Sequence, residues 1–165
     1  MPGDAPSLRL LPATSADRAF SEGLGRDNMA AYRAARGIAW DPARFAASWA
    51  TFENHVIVDR GERVGLLRLL VVGDALEIRD LQLLPAHRGR GIGAWAIAGA
   101  AAIARGRGLH RLRLRVLEEN PARRLYARVG FEVERVVDGI LHMALDLHAA
   151  PIAPLPFAAS PTDFG

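Results

Sequence analysis

The sequence predicts an α/β domain with a mixed, mostly antiparallel central sheet flanked by helices. Three β-type runs separated by tight turns follow one another across residues 54–84, which indicates an antiparallel meander. An apolar helix, a strand with clean alternation, a second helix and a hairpin follow it, and this mixture is typical of an α/β fold. A chain of 165 residues without internal repeats suits one domain.

The N-terminal part predicts one strand followed by helices. The stretch SLRLLPAT alternates and ends in a proline, so it is expected to be a short first strand. Residues 15–36 have a helical composition, and Gly23 and Gly25 suggest a break within them. Asp41 followed by Pro42 marks the start of the next helix, because aspartate caps a helix and proline fits its first turn.

The middle of the chain predicts three strands and a buried helix. The stretch from Gly91 to Arg107 is apolar nearly all round, so this helix should lie against a sheet. The strands before it are expected at 54–59, 62–72 and 75–84.

The C-terminal part predicts a strand at 109–117, a helix that begins near Asn120 and stops at Gly130, and a hairpin that turns at Asp138 and Gly139. The domain therefore covers residues 1–148. The last 17 residues, 149–165, hold four prolines and are expected to be an irregular, proline-rich tail.

Composition excludes several classes of site. The chain has no cysteine, so disulfides and thiolate metal sites are excluded, and its five histidines are scattered, so no metal site is expected. All 21 basic residues are arginine, but a net charge of +3 is too small to indicate nucleic-acid binding. The N-terminus lacks a secretory signal pattern, and the longest apolar stretch is too short to span a bilayer. A soluble, cytoplasmic protein without membrane or nucleic-acid partners is expected.

The stretch RGRGIG at 88–93 places three glycines before a helix. Glycines let backbone N–H groups approach an anion, and the first N–H groups of a helix are unpaired. A turn that merely permits tight packing is the plain alternative. A dinucleotide fingerprint is another, since Gly91, Gly93 and Ala96 match it and Glu118 or Glu119 ends the next strand. That fingerprint normally opens a doubly wound sheet, whereas a meander precedes this loop.

The stretches LQLLPAHRGRGIGAW and NPARRLYARVGFEVE together resemble the GCN5-related N-acetyltransferase (GNAT) family. Arg88, Gly91 and Gly93 fit the family's signature loop, and the predicted order of elements over 7–147 follows the family's fold. The resemblance implies a GNAT-like sheet and acetyl-CoA as acyl donor, with the loop around its pyrophosphate. It also implies direct attack of a primary amine on the thioester in a ternary complex, which needs no cysteine nucleophile.

The resemblance also implies where the acyl donor binds. The strand before the loop pairs with the pantetheine arm, and the thioester lies between that strand and the one at 109–117. The residues implied for the donor are Leu81, Gln82, Leu83, Arg88, Gly89, Arg90, Gly91, Ile92, Gly93, Ala94, Asn120 and Tyr126.

The candidate catalytic residues are Tyr126, Glu77 and Asp80, the first two by resemblance to family residues. Tyr126 matches the tyrosine that donates to the departing sulfur, and Asn120 matches an asparagine near the pantetheine arm, although its spacing from Tyr126 is one residue shorter than usual. Glu77 matches the family's catalytic glutamate in its distance from Arg88, and Asp80 is the second candidate base. Three residues apart, the two carboxylates face opposite sides of a strand unless a bulge intervenes.

The acceptor site is implied to lie among the helices after the first strand and the C-terminal hairpin. Met29, Tyr32, Trp40 and His142 are its candidate residues, and the acceptor is a small-molecule amine or a protein amine. Homodimers are common in the family, so a homodimer is an expectation. The alternatives are an acyl-CoA-binding module without catalysis and a nucleotide- or NADP-binding protein. Nucleic-acid binding through HRLRLR is disfavoured, because a strand inside a sheet is poorly placed to grip a duplex.

Overall fold

The computed structural model describes residues 7–148, and the predicted tail at 149–165 lies outside them. The strands are β1 Leu8–Pro12, β2 Glu53–Asp59, β3 Glu62–Val72, β4 Ala75–Leu83, β5 Arg111–Leu117, β6 Glu132–Val137 and β7 Ile140–Asp146. They form one sheet in the order β1-β2-β3-β4-β5-β7-β6. Among these strands only β4 and β5 pair in parallel, which confirms the predicted mixed, mostly antiparallel sheet.

Five α-helices flank this sheet within the described residues: α1 Arg18–Asn28, α2 Ala30–Ala35, α3 Pro42–Thr51, α4 Ile92–Gly106 and α5 Ala122–Val129. None of them is long and apolar enough to cross a membrane. The break expected at Gly23 and Gly25 was wrong, since the helix is interrupted at Met29. Gly25 is buried, and a Cβ there would lie 3.6 Å from Asp80 Oδ2, so this glycine allows close packing on the sheet.

The two faces of the sheet are covered by different helices. On one face α4 and α5 pack on the main apolar cluster, in which Ile97 and Ala100 are fully buried beside Leu112. On the other face α1 packs on β3 and β4 and contributes the buried Leu24, while α3 contributes the buried Phe45, which packs against Arg68 of β3. Helix α4 has no polar stripe because the sheet and α5 together enclose most of its surface.

A β-bulge interrupts β4 at Arg79. Arg68 pairs with Asp80 and Leu69 pairs with Ile78, so Arg79 is an extra residue with no partner on β3. Glu77 therefore lies on the same face as Asp80, and the arrangement expected for a regular strand does not hold.

Strands β4 and β5 separate just beyond this point. Their pairing runs from Ala75 with Arg111 as far as Ile78 with Leu114 and then ends. Past Ile78, β4 keeps its hydrogen-bonded partner β3 on one side only. The separation opens a gap through the sheet, and the helix that connects the two strands, α4, begins at the edge of this gap.

Candidate functional site

A cleft of about 960 Å³ occupies the gap between β4 and β5. We call it the β4–β5 cleft. Its walls are residues 78–83 of β4, 114–117 of β5, 88–89 and 91–94 of the glycine loop and α4, 120–122 before and at the start of α5, Leu125, Tyr126 and Arg128 of α5, Asn28, Met29 and Tyr32 of α1 and α2, and Ile140 of β7.

The glycine loop forms one end of this cleft. Gly89 has φ 73° and Gly91 has φ 81°, a left-handed conformation that glycine adopts at little cost. Gly91 directly precedes α4, so the backbone N–H groups of the first helical turn, at 92–94, have no acceptor within the helix. Since these residues line the cleft, their N–H groups and the helix dipole favour an anion at this end.

Gly93 has a second role in packing. A Cβ at this position would lie 2.7 Å from Leu125 Cδ2, so glycine allows α4 to approach α5 closely. Both interpretations of the loop thus have support: one glycine permits tight packing, and two others shape a concave backbone. Arg88 lines the cleft, whereas Arg90 lines a separate cavity of about 280 Å³ beside Glu62.

The edge of β4 that faces β5 supplies the long wall of the cleft. Leu81, Gln82 and Leu83 pair with β3 only, so backbone groups directed towards β5 have no strand partner. Asn28 at the end of α1 fixes this edge, because its Nδ2 donates to the Leu83 carbonyl oxygen at 3.0 Å and to Gln82 Oε1 at 3.1 Å.

Asp80 is the carboxylate that reaches this cleft. Gln82 Nε2 donates to its Oδ1 at 2.8 Å, and Arg68 Nη1 lies 3.7 Å from its Oδ2. Burial raises the pKa of Asp80, and the Gln82 hydrogen bond and the Arg68 charge oppose this shift without cancelling it. A carboxylate with a raised pKa in a cleft is a candidate for accepting a proton.

Arg68 is itself buried, with 4 % of its surface exposed. It donates to Asn54 Oδ1 at 2.9 Å and to the hydroxyl of Ser48, and its guanidinium lies 4.7 Å from the ring centroid of Phe45. These contacts hold it on the α3 side of the sheet, where it also faces Asp80.

Tyr126 lies on the opposite wall. It is buried, its ring packs edge-on against Phe131 with centroids 5.9 Å apart, and its hydroxyl forms no hydrogen bond with residues 7–148. Burial and the charge of Asp80 raise the pKa of Tyr126 to about 12, so the phenol keeps its proton at neutral pH. Asp80 and Tyr126 come from opposite faces of the sheet, and the gap between the strands lets them influence each other.

The second candidate base lies outside the cleft lining. Glu77 shares its face of β4 with Asp80, but its Oε1 lies 3.5 Å from Arg79 Nη1, and it does not line the cleft. Asn120 does line it, and its Oδ1 accepts a hydrogen bond from the N–H of Ala122, the first residue of α5, at 2.9 Å.

The four candidate acceptor residues fall into two groups. Met29 and Tyr32 line the cleft. Trp40 lies outside it and packs against Phe45, with ring centroids 5.9 Å apart. His142 also lies outside it, with its Nδ1 3.5 Å from Arg135 Nη2.

Sequence reasoning missed Asn28, Arg68, Leu125 and Arg128. A signal existed for Arg68, because a single charge in the middle of the apolar run VGLLRLLVV needs a buried partner. For Asn28, the sequence gives no comparable signal. In the part of the chain that the structure describes, no group of three or more histidine or acidic side chains could hold a metal ion.

A model of the acetyltransferase (GNAT) family matches residues 19–131. The chain belongs to this family. The matched segment contains α1, β4, the glycine loop and α5, that is, most of the residues that line the cleft. No curated protein sequence matches the chain at a significant level.

Solved structures share the fold at low identity. PaiA N-acetyltransferase from Thermoplasma acidophilum, in complex with coenzyme A, gives a TM-score of 0.70 at 16% identity, covering 85% of this chain and 99% of that one. The ribosomal-protein-S18-alanine N-acetyltransferase from Escherichia coli gives 0.68 at 18%, covering 90% and 99%. Spermidine N-acetyltransferase from Vibrio cholerae, in complex with CoA and spermine, gives 0.69 at 20%, covering 86% and 96%. Together with the family match, they confirm the predicted GNAT-like fold.

Proposed function

We propose that this protein transfers an acetyl group from acetyl-CoA to a primary amine by direct attack in a ternary complex. One observation carries the proposal: the gap between β4 and β5 joins an anion-binding loop, an open strand edge, a carboxylate and a protonated phenol in a single cleft. Two structural neighbours in complex with coenzyme A are named as N-acetyltransferases, which supports acetyl transfer to an amine.

The donor fits the shape of the cleft. The pyrophosphate binds the backbone N–H groups at 91–94, and Arg88 and Arg128, which both line the cleft, add positive charge. The pantetheine arm, which carries amide groups, pairs with the free edge of Leu81–Leu83. Asn120 lies beside this arm on the facing wall. The thioester then reaches the gap between Asp80 and Tyr126.

The chemistry follows from the protonation states of these two groups. The amine nitrogen attacks the thioester carbonyl carbon, the C–N bond forms and the C–S bond breaks. Tyr126 gives its proton to the departing sulfur, and Asp80 takes a proton from the amine directly or through water. Solvent then returns a proton to Tyr126 and removes one from Asp80. Glu77 remains the second candidate for the base.

Isothermal titration of acetyl-CoA and a thiol-release assay test the proposal together. Because the chain has no cysteine, a thiol reagent detects released CoA without background from the protein. The decisive variant is Gly91→Trp, which places a large side chain in the loop. Gly108→Trp is its matched control, since Gly108 also has a positive φ of 71° and open space around its Cβ position but lies at the other end of α4.

We expect wild type and Gly108→Trp to bind acetyl-CoA and to release CoA when an amine is present, and Gly91→Trp to lose both. Binding of acetyl-CoA without thiol release over a broad amine panel contradicts catalysis and leaves a binding module. No acetyl-CoA binding by the folded wild type contradicts the proposal altogether, whereas equal loss in both variants contradicts the role of the loop.

A further inference from the structure

The acceptor half of the β4–β5 cleft is short of negative charge. Of the residues that line the cleft, all within the described part of the chain, Asp80 is the one carboxylate, against the arginines at 79, 88, 115 and 128. Arg88 and Arg128 lie towards the donor. Arg79 and Arg115 follow the last paired residues of β4 and β5, and we assign them, with Met29 and Tyr32, to the acceptor half.

Asp80 is not free to hold a second cation. Its Oδ1 accepts the Gln82 hydrogen bond at 2.8 Å, and Arg68 lies 3.7 Å from its Oδ2. A polyamine carries two or more positive charges at neutral pH. In this cleft, a charge without a carboxylate partner would be repelled by the lining arginines. The lining therefore disfavours acceptors that are purely cationic.

Arg115 is the free positive charge of this half. Arg115 directly follows Leu114, the last residue of β5 that pairs with β4. It shares a face of β5 with Arg113, and Arg113 pairs with Glu77 of β4. Glu77 and Asp80 share that face through the bulge, so Arg115 borders the gap on the same side as Asp80. Arg115 forms no hydrogen bond or ion pair with any described residue, whereas Arg79 is bridged to Glu77 at 3.5 Å.

The surroundings of Arg115 add to the positive potential. Its partner on β7 is His142, and the pKa of His142 is lowered by desolvation and by the charges of Arg135 and Arg115. The Nε of Arg113 is buried and lacks a hydrogen-bond partner among the described residues. The charges of Glu134 and Glu77 oppose this lowering at His142 without cancelling it. Neither carboxylate forms an ion pair with Arg113 or Arg115, so this side of the gap attracts an anionic group.

We propose that the acceptor is a small amine that also carries an anionic acid group, and that Arg115 binds this group while the amine faces Asp80. The inference rests on the proposed function and specifies its substrate class. A guanidinium binds a carboxylate or a phosphate through two parallel hydrogen bonds, which fixes orientation as well as position. Such an acceptor brings its own negative charge and so needs no further carboxylate from the protein.

The test measures amine binding to the CoA-saturated protein by titration calorimetry, independently of turnover. Matched pairs differ only in the acid group: phenylalanine with phenylethylamine, and phosphoethanolamine with ethanolamine. Spermidine is added as a polycation. The variants are Arg115→Gln, Arg115→Lys and the control Arg111→Gln, an exposed arginine on the same face of β5 outside the cleft.

In at least one pair we expect the acid-bearing amine to bind tenfold or more tightly than its partner. Arg115→Gln should reduce this preference to about twofold or less, Arg115→Lys should keep part of it, and Arg111→Gln should keep all of it. The pair that shows the preference identifies the acid as carboxylate or phosphate.

The inference is overturned if both members of each pair bind equally, if spermidine binds most tightly, if no amine binds, or if the preference survives in Arg115→Gln. Acetyl-CoA binding and thiol release in the same preparations keep the two proposals apart. Acetyl transfer to amines without an acid group refutes only the substrate class, whereas absent acetyl-CoA binding refutes the proposed function.

Discussion

Arg68 Nη1 and Asp80 Oδ2 lie 3.7 Å apart across β3 and β4, at the position where the bulge interrupts their pairing. The arginine is fixed by Asn54 and Ser48 on the α3 side, so the carboxylate at the rim of the cleft is tied to a helix that does not line it. This contact links the packing of α3 on the sheet to the charge of the candidate base.

Replacing Arg68 by leucine should destabilise the fold strongly. The substitution leaves the mostly buried Asp80 without its positive partner and removes the hydrogen bonds to Asn54 and Ser48. We expect a loss of about 3 kcal/mol or more in the free energy of unfolding, measured by urea denaturation. The control Arg111→Leu removes an exposed arginine 4.0 Å from Glu134 and should cost about 0.5 kcal/mol or less. Equal losses in the two variants would contradict the role of the buried pair.

Asp80→Asn should reduce kcat by about a hundredfold or more, and Glu77→Gln should reduce it far less, because only Asp80 lines the cleft. The active form of Asp80 is the carboxylate, so kcat should fall as pH falls through its pKa. Since burial raises that pKa, the acid limb should lie above pH 3.8, the ordinary value. The limb should disappear in Asp80→Asn. A larger loss in Glu77→Gln would assign the base to Glu77 instead.

Tyr126→Phe should lower kcat by about a hundredfold while leaving stability nearly unchanged, because the hydroxyl has no hydrogen-bond partner among the described residues. With the pKa of Tyr126 raised to about 12, the phenol stays protonated over the whole range in which the protein can be assayed. The kcat profile of the wild type should therefore show no tyrosine limb below about pH 11. Thermal unfolding checks that the variant keeps its stability. A Tyr126→Phe variant with full kcat would show that the hydroxyl takes no part in the reaction.

The glycine loop and the order of elements could be predicted because each depends on a short stretch of sequence. Glycines before an apolar helix, a strand that alternates at 109–117, and turn residues at Gly73 and Asp138 each determine structure over a few residues. The role of Leu81, Gln82 and Leu83 in donor binding came from the family resemblance instead and remains a prediction.

What could not be predicted depends on contacts between distant segments. The bulge at Arg79 arises from how β4 meets β3, and nothing within β4 alone marks Arg79 as the extra residue. Asn28 reaches Leu83 across 55 residues of sequence. Gly25 resembles a helix breaker in sequence, and its role becomes clear only from the approach of α1 to Asp80. These features need the tertiary structure, because periodicity describes one element at a time.

Gly65→Ala should damage the donor edge of β4. A Cβ at Gly65 would lie 2.6 Å from the Gln82 carbonyl oxygen, a backbone atom that cannot move aside as a side chain can. We expect a loss of stability of about 1–3 kcal/mol and a clear weakening of acetyl-CoA binding by calorimetry. Gly106→Ala is the control, since nothing lies within 4 Å of its Cβ position and its φ is not positive. It should be neutral or slightly stabilising. Unchanged acetyl-CoA affinity in a folded Gly65→Ala variant would contradict a role of Gly65 in shaping the donor-binding edge of β4.

Asp17 gives a prediction for the pH dependence of stability. Burial alone would raise its pKa, but the hydrogen bonds from the Thr14 N–H at 2.8 Å and from Arg63 Nε at 2.7 Å outweigh burial and lower the pKa below 3.8. A carboxyl group whose pKa is lower in the folded state adds stability above its unfolded pKa and loses it as pH falls through the folded value. Asp17→Ala should therefore cost about 1–2 kcal/mol at pH 7.

That difference between wild type and Asp17→Ala should shrink as pH falls below about 4, where the wild-type carboxyl takes up its proton. Urea unfolding at several pH values between 2 and 7 measures it. Asp27→Ala is the control, because Asp27 lies on α1 with 75 % of its side chain exposed and should give a small difference at every pH. A cost for Asp17→Ala that stays constant down to pH 2 would mean that the lost contacts act through packing, since a charge contribution must vanish once the carboxyl is protonated.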